Sequence, residues 1–224
     1  MIPNPWPGFH FVFEGIDGYG KTSQRNMTSE WLNKTLGDRN PISIVLAKEP
    51  GRERYWGDKI YRDLENKDNR NALHKKNPFV FQTWFALDSR ENHNETIIPA
   101  LKEGQIVLSD RSRPSMVFGA QKKSDITSLI ELNEAILGEF FILPDKVLVF
   151  DVSIKTALLR SRKKSQKLDG HENQSVLQRT RLNYRHFCRT FPNCIIIDAE
   201  GTPEQVFEQT QKVILETMGK RERL

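Results

Sequence analysis

FVFEGIDGYGKTSQ, residues 11–24, runs from a continuous apolar stretch into Gly15-x-x-x-x-Gly20-Lys21-Thr22 and then into helix-forming residues. Small residues at this spacing let backbone N–H groups turn inward around a phosphate. The helix that follows adds the positive end of its dipole. A lysine placed here reaches the β- and γ-phosphates of a nucleotide, and the next hydroxyl ligates Mg²⁺. Gly15, Gly18, Gly20, Lys21, Thr22 and Ser23 are therefore the expected contacts to ATP, with Thr22 also on the metal. A strand that feeds a phosphate loop and then a helix is the first unit of a parallel α/β fold.

Four more apolar runs follow the first: ISIVLA (42–47), QIVLSD (105–110), KVLVFDV (146–152) and NCIIID (193–198). Each is β-branched or aromatic and nearly continuous rather than alternating, as strands covered on both faces are. The spacing allows crossover helices, so the expectation is a five-stranded parallel sheet with helices on both faces. One helix should open at Lys21 and run to about Leu36, with Gly37 as a stop. A long helix over 79–103 should bend or restart near Pro99. SDITSLIELNEAILG should close at Gly138, and the last helix should start with Thr202 as N-cap, Pro203 in the first turn and Gln205 at the capping-box position. With no repeat, low-complexity segment or linker, residues 1–224 read as a single domain.

The chain has 224 residues, of which 37% are hydrophobic and 28% charged, enough apolar content for a core. A net charge of +5 suits polyanionic small ligands and, taken alone, would equally suit nucleic acid. No apolar run approaches the ~18 residues that span a bilayer, so no membrane partner is expected. The start, MIPNPWPGFH, lacks a basic segment and an apolar signal core. A reducing, cytoplasmic setting is expected, with Cys188 and Cys194 as ordinary small residues.

Asp110 ends an apolar run, where a carboxylate can hold the metal directly or through water, and Arg111 would enter the same crevice. Asp151 ends another run and competes for the metal. RSRKKSQK (160–167) places Arg160, Arg162, Lys163, Lys164 and Lys167 within two helical turns. This is either a solvated face or part of a lid, about 160–172, whose Arg160 and Arg162 stabilise transferring phosphate. The Asn-Lys-x-Asp element that reads guanine in GTPases is missing; NKDN at 66–69 has the wrong order.

FVFEGIDGYGKTSQ, KEPG, FALD, IIPALKEGQIVLSDR, LPDKVLVFDVS and LDGHE occur in the order found in thymidylate kinases, and the chain resembles that family from about residue 9 to 200. The resemblance implies a three-layer P-loop kinase fold that phosphorylates dTMP with ATP and Mg²⁺. It implies Asp17 on the acceptor's 3′-hydroxyl, Pro50 and Phe85 sandwiching its base, and Arg52 facing its phosphate. Arg111 and Ser115 match a D-R-x-x-x-S element lining the acceptor pocket. The family's arginine after F-A-x-D is Ser89 here, followed by Arg90, a substrate-binding candidate for the acceptor's phosphate that is rotated by ~100° on a helix. Ser112, Met116, Gly119 and Gly170 also depart from the family pattern. Met116 stands where some members carry a polar residue toward thymine, and Gly119 where an aromatic often crowds the sugar.

A second resemblance, FQTW (81–84) before DRS (110–112), is to deoxynucleoside kinases. It implies that Gln82 pairs with the base and that Glu49 is a general base on a nucleoside 5′-hydroxyl. Three functions follow: a nucleoside-monophosphate kinase acting on dTMP, a deoxynucleoside kinase, and a non-catalytic P-loop protein that binds nucleotide or nucleic acid. The first is the lead, with nucleotides rather than nucleic acid as partners. A homodimer is what the resemblance implies for assembly.

Overall fold

The computed structural model describes residues 1–16, 18–36, 43–66, 71–164 and 174–221, giving the backbone alone for 161–164 and 221. Among these residues, five strands form one parallel sheet: β1 (Phe9–Glu14), β2 (Ile44–Lys48), β3 (Ile106–Asp110), β4 (Lys146–Asp151) and β5 (Cys194–Asp198), in the spatial order β2-β3-β1-β4-β5. The central strands carry the continuous apolar runs. Every residue of β3 is buried, and all but the first residue of β1 and of β4. The edge strands do not follow this rule: Leu46 on β2 and Ile195 and Ile196 on β5 are exposed. Phe11, Phe13 and Phe150 have no solvent exposure, and burying each contributes about 1.5–3 kcal/mol.

Helices α1 (Lys21–Leu36), α2 (Tyr55–Leu64), α3 (Leu73–Lys76), α4 (Pro78–Asn92), α5 (Ile98–Lys102), α6 (Ser124–Leu137), α7 (Ile154–Lys164), α8 (Gln174–Thr190) and α9 (Pro203–Arg221) complete the fold. The expected opening at Lys21 is where α1 begins; Gly37 lies outside the described residues. The long helix of 79–103 is interrupted by a π-turn over His93–Ile97 before Pro99 restarts it as α5. Proline lacks the N–H that an uninterrupted helix would use there. The capping box on α9 forms as the spacing predicts: Thr202 N donates to Gln205 Oε1 (3.0 Å) and Gln205 N to Thr202 Oγ1 (3.4 Å). The cysteines differ from expectation. Cys188 on α8 and Cys194 on β5 form a disulfide that joins two elements adjacent in sequence.

The chain crosses from β1 to β2 on one side and from β3 to β4 on the other, which leaves a crevice beyond the C-terminal ends of the central strands. Glu14, Lys48, Asp110 and Asp151 are the last residues of β1, β2, β3 and β4. The fold therefore gathers four charged groups at one rim.

Gly138 ends α6 at φ +54°, and a Cβ there would meet nothing within 4 Å. Gly138→Ala isolates the backbone cost from any clash and should lower stability by ~1–2 kcal/mol in urea unfolding. An unchanged midpoint would show that this turn relaxes freely.

Candidate active site

The phosphate loop separates two cavities. Lys21 and Thr22 face a cleft of about 600 Å³ that is also lined by Lys48, Glu49, Pro50, Phe85, Asp110, Arg111 and Ser115. Gly18, Gly20 and Ser23 face a second hollow of about 280 Å³, closed by Arg160, Gly201 and Pro203. Gly18 and Gly20 hold φ of +83° and +86°, conformations that expose successive N–H groups and that glycine alone adopts cheaply. Gly15 serves close approach, because a Cβ on it would lie 2.6 Å from the Phe150 carbonyl. Lys21 is buried, with Nζ donating to Ile16 O at 3.1 Å.

Thr22 Oγ1 donates to Asp110 Oδ2 at 2.6 Å, so the loop hydroxyl and the β3 carboxylate meet at the cleft wall. Two hard oxygens beside a phosphate site match Mg²⁺, which takes few protein ligands and completes its shell with water and phosphate. Asp151 is engaged otherwise. Arg181 and Arg185 of α8 both chelate it, at 2.6–2.9 Å and 2.6–3.1 Å. Burial works against its charge, but the two guanidiniums hold its carboxyl below the usual range. The metal alternatives left open by the sequence thus separate: Asp110 is next to Thr22, and Asp151 is an anchor for α8.

Arg111 is the residue on which the far end of the cleft turns. Its φ of +65° is left-handed backbone, which costs a non-glycine residue on the order of 1–2 kcal/mol. The turn is held by Arg111 N donating to Phe13 O (3.0 Å), and by the guanidinium donating to Gly15 O (3.1 Å) and Ser115 Oγ (3.3 Å). Beneath it lies Glu14, which has no solvent exposure. Glu14 accepts from Ser112 N (2.9 Å), Ser115 Oγ (2.9 Å) and Tyr184 OH (2.7 Å), and stands 3.8 Å from Arg111. Burial raises its pKa; Arg111 and the three donors pull it back. Neither Glu14 nor Tyr184 was among the residues expected from sequence.

The other expected residues are dispersed. Pro50 and Phe85 both line the cleft, and the Glu49–Pro50 peptide is cis. Arg52 is half-exposed, paired with Glu65 and lying over the Tyr61 ring at 4.0 Å, outside the cleft lining. Arg90 is exposed and packs on Phe140, while Ser89 is buried against His93. Arg160 is not a free lid cation. It donates to the carbonyls of Ala199 (2.8 Å), Glu200 (3.3 Å) and Gly201 (3.1 Å) at the second hollow. Asp17, the Arg162 side chain and residues 165–173 of the expected lid lie outside the described residues.

A second polar cluster supports the cleft from the β2 side. Arg54 grips Asp88 with two bonds of 2.9 and 3.0 Å and also reaches Lys48 O at 2.7 Å. Asn92 donates to Glu49 at 2.9 Å. The aspartate of FALD thus ties α4 to the KEPG turn that carries Glu49 and Pro50. Glu49 is buried, and burial, with the nearby Asp88 charge, raises its pKa to about 7.

A family model described as thymidylate kinase matches residues 13–210. A thymidylate kinase of Mesoplasma florum is 33% identical over 210 residues, covering 92% of this chain and 94% of that one. One from Caldicellulosiruptor saccharolyticus is 30% identical over 218 residues, covering 96% and 99%. The crystal structure of thymidylate kinase from Ehrlichia chaffeensis superposes with a TM-score of 0.67 at 22% identity, covering 92% of this chain and 98% of that one, and so shares the fold.

Glu49 gives the cleft a pH signature. The folded protein holds its proton more tightly than the unfolded chain does, so this group favours folding at low pH. That contribution is lost as pH rises from 4.5 through about 7. Glu49→Gln should remove this term. Urea midpoints of wild type and variant, compared across that window, should diverge as pH rises, with the variant becoming relatively more stable. Parallel curves would contradict the assignment.

Proposed function

The chain belongs to the thymidylate kinase family, a family of phosphotransferases, and we infer from this and from the cleft that it transfers the γ-phosphoryl group of ATP to dTMP, giving dTDP and ADP. The observation that carries the reading is the loop itself, which turns Gly18, Gly20 and Ser23 to one cavity and Lys21 and Thr22 to the other. One cavity accommodates a donor on the Gly18–Ser23 side and the other an acceptor between Phe85, Pro50 and Arg111. In the transfer, an oxygen of the acceptor monophosphate forms a bond to the γ-phosphorus as the bond to the β,γ-bridging oxygen breaks, leaving ADP. The acceptor oxygen is already anionic, so no strong base is needed. The loop N–H groups and Lys21 hold the donor phosphates, and Lys21 follows the charge that develops between the β- and γ-phosphates. Thr22 and Asp110 are the residues that would hold Mg²⁺, which when bound neutralises the charge on the donor's phosphates.

On the acceptor side, Arg111 is positioned for the monophosphate, with Lys48 on the same wall. Arg52 would join them by exchanging Glu65 for the phosphate. Ser115 orients Arg111, Phe85 and Pro50 take the two faces of the base, and Asp17 takes the 3′-hydroxyl. Arg90 has no part in this arrangement as it stands. A nucleoside would forgo the charge-assisted contact that a monophosphate makes with Arg111, so dTMP is favoured over thymidine. Arg160 contributes on the donor side, where its guanidinium plane forms a wall for the adenine, and Arg162 belongs with the lid that closes over the phosphates.

A cytoplasmic setting, where ATP and nucleoside monophosphates are available, is part of this reading; among the described residues no helix is long and apolar enough to cross a membrane. A homodimer would find an apolar face on α2 and α4, where Tyr55 and Val80 are exposed beside Trp56 and Trp84.

Coupled ADP release across nucleosides and nucleoside monophosphates tests the reading. dTMP should turn over fastest; thymidine outpacing it would instead support a nucleoside kinase using Glu49 and Gln82. Lys21→Ala should lower kcat by at least ~100-fold. Arg160→Ala should raise the KM for ATP several-fold while kcat for saturated enzyme falls less. The opposite split would return Arg160 to the phosphates.

A further inference from the structure

Two arginines serve the acceptor side of the cleft, and they are held differently. Arg111 is locked by its bonds to Gly15 O and Ser115 Oγ. Arg52 lies outside the cleft lining, with its guanidinium 4.0 Å over the Tyr61 ring and paired with Glu65. Tyr61 does line the cleft, and its hydroxyl donates to Pro50 O at 3.3 Å. Lys48 Nζ approaches the same ring at 5.8 Å. One aromatic side chain of α2 therefore ties down the KEPG turn and meets the cation at each end of it.

The two contacts on Arg52 use different parts of it. The ring attracts the guanidinium as a cation over its face and consumes no N–H, so the donor fork stays available. Glu65 takes an N–H, but the side chains of that pair are 55% and 59% exposed, where water screens an ion pair to little net strength. Glu65 follows Tyr61 by four residues at the C-terminal cap of α2, and its N–H donates to Tyr61 O at 2.9 Å. Residues four apart share a helix face, so the ring and the carboxylate stand side by side. The ring lines the cleft and the carboxylate does not.

We propose that Tyr61 is a positioning residue on which Arg52 pivots between Glu65 and the acceptor's phosphate, so that Glu65 competes with the substrate for that arginine. The inference rests on Arg52 meeting the phosphate of dTMP. A phosphate dianion offers more charge and more acceptor oxygens than one carboxylate, and it wins the exchange once bound. The ring contact persists through the exchange, which spares much of the cost of reordering a long side chain. Affinity for the monophosphate is lowered by the fraction of Arg52 held on Glu65. Thymidine carries no phosphate and is indifferent to it.

Calorimetric binding of dTMP and of thymidine, with steady-state kinetics in dTMP and ATP, would be measured on wild type, Glu65→Gln, Arg52→Gln, the double variant, Tyr61→Phe and Tyr61→Leu. Glu65→Gln should tighten dTMP about two- to fivefold, the range of an exposed ion pair. It should leave thymidine affinity and the KM for ATP unchanged. In the Arg52→Gln background the same substitution should have no effect. Tyr61→Leu should weaken dTMP several-fold and Tyr61→Phe much less, because the ring rather than the hydroxyl carries the arginine. Affinity for dTMP that is unchanged or weaker in Glu65→Gln, or a Tyr61→Phe as damaging as Tyr61→Leu, would overturn the proposal. The exposed Glu65 decides alone if Tyr61→Leu does not fold. Unaltered dTMP affinity in Arg52→Gln would remove Arg52 from the phosphate and the proposal with it, while dTMP turnover by wild type would keep the proposed function standing. If wild type prefers another monophosphate, the dTMP reading falls, and the same variants on that acceptor decide whether Tyr61 and Glu65 govern Arg52.

Discussion

A carboxylate with no access to water holds this active site together. Glu14 ends the central strand, where its charge could persist only if other groups replaced the lost solvent. They come from three directions: the Ser112 N–H and Ser115 hydroxyl after β3, the Tyr184 hydroxyl from α8, and the Arg111 guanidinium from the turn between. The left-handed backbone at Arg111 persists because these bonds over-determine it. The guanidinium is therefore fixed in place, and ordering it would add little to the cost of binding an anion there.

Two further carboxylates near the rim are held by the same rule, each by guanidinium groups. Arg181 and Arg185 occupy Asp151 and fasten α8, while Arg54 occupies Asp88 and fastens the KEPG turn. Lys21, Lys48 and Arg111 face the larger cleft beside Asp110. Catalysis by such a site is mostly a matter of placement, since phosphoryl transfer to an existing oxyanion needs aligned charge more than proton transfer. The disulfide between Cys188 and Cys194 ties the end of α8, the helix that supplies Tyr184, Arg181 and Arg185, to the edge strand.

What the sequence made legible was local. The start of α1 after a phosphate loop, the capping box of Thr202 and Gln205, the break before Pro99 and the stop at Gly138 are each written within a few residues. Strand positions followed from continuous apolar runs, though exposure of the edge strands depends on spatial order, which no single run encodes. Within the site, Thr22, Asp110 and Arg111 could be read because they sit at strand or helix ends. Arg160 could not, because its three carbonyl partners are 39 to 41 residues away. Gln82 and Gly119 look unrelated on the chain and form one packing unit only in the fold. Glu14 closes an apolar run as Asp110 and Asp151 do, but nothing on the chain shows that β3 and α8 enclose it.

Binding of dTMP and of thymidine, measured by calorimetry on wild type and on Glu14→Gln, bears most directly on whether the buried carboxylate fixes Arg111 for the acceptor's phosphate. A glutamine amide would set its own donors against those of Tyr184 and Arg111. The affinity of dTMP relative to thymidine should then fall on the order of tenfold, the loss of one charge-assisted contact, while thymidine itself binds as before. A dTMP-to-thymidine ratio that survives the substitution unchanged would mean that Arg111 is placed by something other than Glu14, or that the phosphate is held by other groups.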